Sequence, residues 1–128
     1  MNNKRYEKKF SFGIDLDIEL SDYQKIINKY SLYISSVYFS LPSGEKFHTR
    51  AKMAEEYKKP GAKERLLKIL DLFKNANVKL EAVINQYHID KNLLKKALYD
   101  LDNFIKIDSI CCLDEYLDII LEHYSNNI

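Results

Sequence analysis

The chain has 128 residues, enough for one domain that buries about two-thirds of the surface exposed by its unfolded form. Its 46% hydrophobic and 30% charged content is that of a globular protein, with no apolar run of membrane-spanning length. Twenty Lys and Arg against nineteen Asp and Glu leave a net charge of +1, which argues against a generic nucleic-acid binder or a DNA mimic.

Residues 1–9 are polar and are expected to form a flexible N-terminus, leaving 10–128 as a single domain. Phe10, Phe12, Ile14, Leu16 and Ile18 then alternate with Ser11, Gly13, Asp15, Asp17 and Glu19, which predicts a strand over Phe10–Leu16. Ser21 with Gln24 three residues on is a capping-box pattern. It predicts a helix over Ser21–Ile34 with Tyr23, Ile26, Ile27, Tyr30 and Ile34 inward. A second strand, Val37–Leu41, runs into the turn residues Pro42-Ser43-Gly44. The long connection Ser43–Gly61 is expected to hold a helical turn or two within Ala51–Lys59.

The second helix, Ala62–Ala76, carries the stripe Leu66, Ile69, Leu70 and Phe73. Val78–Asn85 alternates as a third strand, and Asp90 is placed to cap a helix over Lys91–Phe104. Ile107–Leu113 reads as the fourth strand, and Asp114–Tyr124 as a helix with Leu117, Ile120, Leu121 and Tyr124 inward. Cys111 and Cys112, adjacent on that strand, are expected to be buried small hydrophobes. Free thiols and the absence of an apolar signal core point to the cytoplasm.

Four strand–helix repeats predict an α/β fold of four βα units around a parallel sheet. Strands covered on both sides read as continuous apolar runs, whereas the first and third here alternate. Alternation fits the wall of a barrel or, alternatively, a two-layer α+β sheet with helices on one face. A barrel wall of four strands standing alone exposes its edges and inner face, so it is expected to form a homodimer or to be inactive.

The segments Phe12-Gly13-Ile14, Ser36-Val37-Tyr38-Phe39-Ser40-Leu41-Pro42, Val78-Lys79-Leu80-Glu81-Ala82-Val83-Ile84-Asn85 and Ile107-Asp108-Ser109-Ile110 carry a family resemblance. Their order resembles the N-terminal half of a TIM-type (βα)8 barrel, and in detail the barrels related to collagenase-like peptidases. The likeness spans Phe10 to Tyr124. It implies a TIM-barrel-like half barrel. The cysteine-rich signature of those peptidases has no counterpart here, so no catalytic residue is carried over.

A parallel sheet gathers its strand C-terminal ends on one rim, where open α/β folds place their chemistry. There the sequence puts Asp15, Asp17, Asn85 and His88, with His48 and Arg50 on the long connection. Carboxylates and imidazoles suit proton transfer, and Arg50 suits orientation of an anion. No cofactor is implied, although His48 and His88 with Asp15 or Asp17 form a donor set for a divalent metal. Three glycines and no phosphate-cradling loop argue against nucleotide hydrolysis.

Charge is unevenly placed. Lys4, Arg5, Lys8 and Lys9 open the chain, whereas every Asp, Glu, Lys or Arg from Ile107 onward is an acid. Ten tyrosines, several off the predicted stripes, favour protein contacts. The leading expectation is a small non-enzymatic interaction protein, an inhibitor or adaptor with a protein partner. Its contacts would be Lys46, Tyr57, Lys58, Lys59 and Arg65 together with exposed tyrosines. The alternative is a hydrolase-like or peptidase-like half barrel with a polar site at the strand ends.

Overall fold

The computed structural model describes residues 9–42 and 56–125. The expected flexible segment over 1–8, the turn at Ser43-Gly44, the helical turn over 51–55, and Lys46, His48 and Arg50 lie outside the described residues. Strands β1 (Phe10–Gly13), β2 (Ile34–Ser40), β3 (Lys79–Ile84) and β4 (Ser109–Cys112) alternate with helices α1 (Leu20–Tyr30), α2 (Ala62–Asn75), α3 (Lys91–Phe104) and α4 (Leu117–Ser125). The α/β fold of four βα units is therefore present. All strand pairs are parallel, in the order β1-β2-β3-β4.

That order has a consequence for the layers. Right-handed crossovers that step one strand at a time in one direction place their helices on one face. Burial agrees with this. Val37 and Phe39 of β2 and Leu80, Ala82 and Ile84 of β3 are buried, while the intervening Tyr38, Glu81 and Val83 are exposed or half-buried. The alternation in the sequence thus records a sheet whose described helices cover one side, a layout shared by a half barrel and a two-layer sheet. Among the described residues no helix is long and apolar enough to cross a membrane.

The covering layer centres on α2, whose stripe Leu66, Ile69, Leu70 and Phe73 is fully buried. Each such side chain contributes about 1.5–3 kcal/mol by leaving water. The Phe73 ring stands nearly perpendicular to those of Phe12 and Tyr23, at centroid distances of 5.7 and 5.5 Å. α2 stops because Asn77 takes a left-handed φ of 62°, with Asn77 N–H donating to Lys74 O and Val78 N–H to Phe73 O, both at 3.0 Å. α3 begins where the Asp90 carboxylate accepts the N–H groups of Asn92 and Leu93 at 3.0 and 3.2 Å, as expected.

Several elements differ from expectation, each for a local reason. β1 ends at Gly13 rather than Leu16, because the Asp15 carboxylate accepts Asp17 N–H at 2.9 Å and turns the chain. α1 starts at Leu20 with Glu19 as its N-cap, so Ser21 and Gln24 lie inside the helix and form no capping box. Ile34 opens β2 after a 3₁₀ turn over Ser31–Tyr33 rather than ending α1. Cys111 is exposed, not buried, and Leu117 and Leu121 of α4 are 48% and 61% exposed rather than inward.

Candidate functional site

The C-terminal ends of the strands form a rim whose loops are tied down by side chains from the helical layer. In the loop after β1, Asp15 N–H donates to the Tyr23 hydroxyl at 2.7 Å, and that hydroxyl donates to Asp15 O at 3.0 Å. Burial first, and then the nearby Asp15 charge, raises the Tyr23 hydroxyl above its ordinary value against opposing influences from the Asp15 backbone hydrogen bond and Arg65. Arg65 of α2 reaches the same loop, donating from Nε to Leu16 O at 2.6 Å and from Nη2 to Ile18 O at 2.7 Å.

The loop after β3 is held in a similar way. The Tyr116 hydroxyl donates to Gln86 O at 2.6 Å and accepts Ile89 N–H at 3.0 Å. Between these anchors stand Tyr87 and His88, both exposed, with His88 at a left-handed φ of 61° that non-glycine residues seldom adopt.

These clamps place the expected catalytic residues. Asp15 is half-buried, while Asp17, Asn85 and His88 are exposed on the rim. Asp15 and Asp17 follow β1 whereas Asn85 and His88 follow β3, two strands that β2 separates by about 10 Å. Among the described residues no three His, Cys, Asp or Glu side chains come together to hold a metal ion. Of the expected partner contacts, Lys58 is exposed and Lys59 lies 3.0 Å from the Glu56 carboxylate. Tyr57 packs against the core, and burial pushes its hydroxyl well above the usual tyrosine range. Arg65 carries the backbone contacts described above.

The side of the sheet that no described helix covers presents three rows in register. They are Ser11–Ser36–Lys79, Gly13–Tyr38–Glu81–Ser109 and Ser40–Val83–Cys111. Ser11 and Ser36 hydroxyls lie 2.7 Å apart, and Ser109 donates to Glu81 at 3.0 Å. Tyr38 is the one large aromatic in these rows. Its ring lies against Gly13, where an added Cβ would come within 2.8 Å of Tyr38 Cε2. Cys111 is exposed in the top row. Its neighbour Cys112 packs towards the helices, where burial, followed by Cys111 and Asp114, raises its thiol pKa.

A second cluster lies between the last two helices. His123 Nε2 lies 2.6 Å from Asp102 Oδ2, and the Tyr124 hydroxyl donates to Asp102 Oδ1 at 3.2 Å. Burial and then the Asp102 charge push the Tyr124 hydroxyl up to about 12. The pair borders a groove of about 680 Å³ between α3 and α4, lined also by Lys95, Tyr99 and Glu122. It joins the last turns of two adjacent helices, away from the rim. Comparison with protein-family models, curated proteins and solved structures finds no match for the chain.

Proposed function

We propose that the protein is a non-enzymatic interaction module, an inhibitor or adaptor of the cytoplasm, that recognises another polypeptide through the uncovered side of its sheet. The observation that carries this reading is Tyr38. A ring 40% exposed, seated against Gly13 and flanked by small polar residues, is an aromatic anchor already held in place. Such anchors lose little conformational freedom on binding and dominate interface energetics. Parallel sheets are also ordinarily covered on both faces, and this one carries its described helices on one.

A photo-crosslinking aromatic amino acid in place of Tyr38 tests the reading in the producing cell. The expected result is an adduct of defined mass to a polypeptide, absent when the same group replaces the exposed Tyr99 on α3. No adduct at position 38 overturns the proposal.

One observation favours a second reading, a hydrolase-like half barrel with its site on the rim. His88 holds a left-handed backbone conformation between the two Tyr116 anchors, the kind of strain that collects at functional loops. In that reading Asp15, Asp17, His48 and His88 exchange protons or hold a divalent metal, with Asn85 and Arg50 orienting the substrate. Hydrolysis of ester, peptide or phosphoester substrates by the wild type and not by a folded His88→Ala variant supports it. Absence of turnover by the wild type ends it.

A further inference from the structure

α4 is the last of the described helices, and its outer flank carries a pattern of its own. Ile119 and His123 turn towards α3, where they line the groove between the two helices. With 3.6 residues per turn, Leu117 and Leu121 fall on the opposite flank, 48% and 61% exposed. Beside them Ile107, Ile110, Ile120 and Tyr124 line a recess of about 370 Å³ between α4 and β4, the edge strand. Around the helix Ile120, Tyr124, Leu117 and Leu121 follow one another, so recess and leucines form one apolar strip.

Acids border that strip. Asp108 lines the recess, and its Oδ2 accepts Leu80 N–H at 2.8 Å, which fixes it in place. Asp118 and Glu122 follow Leu121 around the helix, and Asp114 and Glu115 stand in the 3₁₀ turn just before α4. None of these carboxylates has an ion-pair partner among the described residues. The only bases over 106–125 are Lys106 and His123, and His123 is already held by Asp102.

We infer that this flank docks a basic amphipathic helix of another polypeptide, laid beside α4 as the next member of the helical layer. The surface is distinct from the Tyr38 face, and neither reading depends on the other. A helix fits because α4 already packs in this way against α3, and its leucines stand one turn apart, the spacing that a second helix matches. Aliphatic side chains at i, i+3 and i+4 of the partner enter the strip. Lysine or arginine on either side of that stripe then meets Asp108 across the recess and Asp118 and Glu122 beyond the leucines. Charge sets the sign of the partner, because an acidic helix places like charges along the whole contact. Exposed ion pairs add little affinity each, so the strip supplies the strength and the acids the selection.

Fluorescence anisotropy tests this with a labelled synthetic helix carrying leucine at i, i+3, i+4 and i+7 and lysine elsewhere. Saturable one-to-one binding in the micromolar range is expected. A scrambled peptide of the same composition, or one with glutamate for lysine, is expected to bind at least tenfold more weakly. Leu121→Lys changes an exposed residue, so the circular dichroism spectrum and melting transition are expected to stay those of the wild type. Its affinity is expected to fall at least tenfold, the loss of one leucine contact. Asp118→Asn combined with Glu122→Gln is expected to weaken binding severalfold and to flatten its salt dependence. Tyr38→Ala is expected to leave the affinity unchanged, so failure here and failure of the Tyr38 crosslink are separate results. Equal binding of ordered and scrambled peptides, or an affinity insensitive to Leu121→Lys, overturns the proposal. So does a wild-type dimer in light scattering that Leu121→Lys converts to monomer, since a second copy then occupies the flank.

Discussion

Tyr116, from the 3₁₀ turn after β4, fixes the loop after β3 by donating its hydroxyl to Gln86 O at 2.6 Å. The same hydroxyl accepts Ile89 N–H at 3.0 Å, so one buried oxygen satisfies two backbone groups on either side of Tyr87 and His88. Removing it in Tyr116→Phe leaves both groups without that partner. The expected cost is about 1–3 kcal/mol in urea unfolding. Faster amide exchange is expected at Ile89, with little change at Leu66 in the core.

Arg65 stabilises the rim from the other side. Arg65→Met keeps the aliphatic stem but removes two charged hydrogen bonds to Leu16 and Ile18 carbonyls, for an expected loss of about 2–4 kcal/mol. Lys58→Ala, at an exposed position, is expected to change stability by less than about 0.5 kcal/mol. Equal effects in urea denaturation would show that the Arg65 contacts contribute nothing.

Asn77 ends α2 in the left-handed region, which an alanine enters at a cost of about 1–2 kcal/mol. Asn77→Ala is expected to destabilise by that amount, and Asn77→Gly to leave stability unchanged or raise it slightly. The urea midpoints of the two variants, compared at constant slope, check the sign.

Tyr23, Tyr57 and Tyr124 all have their hydroxyls raised by burial, Tyr124 up to about 12. The folded state then holds these protons more tightly than the unfolded chain does. Their contribution is complete below pH 10, the ordinary tyrosine value, and is lost as pH rises from there through 12. The urea midpoint is expected to fall steadily above pH 10, and to fall less in Tyr124→Phe.

How much of this is legible in the sequence depends on how local each cause is. The stripe of α2 and the Asp90 cap use neighbours within one or two turns, and both can be read from spacing. Periodicity overextends β1 because its alternation continues to Ile18, while the Asp15 carboxylate and the Tyr23 hydroxyl divert the backbone after Gly13. Arg65 meets Leu16 across 49 residues, and His123 meets Asp102 across 21, separations that carry no periodic signal. Leu117 and Leu121 fit the helical stripe yet face outward, because α4 is the last helix in the row and its far flank meets no described element. The rim residues Asp15, Asp17, Asn85 and His88 are legible as strand-end polarity. The uncovered face is visible only as alternation, since register alone brings Gly13, Tyr38, Glu81 and Ser109 into one row.

The most direct test of recognition through the uncovered face is the alkylation rate of Cys111, an exposed thiol within it. A Cys112→Ser variant leaves that thiol as the single reporter, and maleimide labelling is followed by mass in the purified protein and in a desalted extract of the producing cell. The face account predicts fast labelling of the purified protein and at least tenfold slower labelling in the extract, where the partner covers the face. Labelling equally fast in the extract would show the face to be uncovered there, contradicting the account.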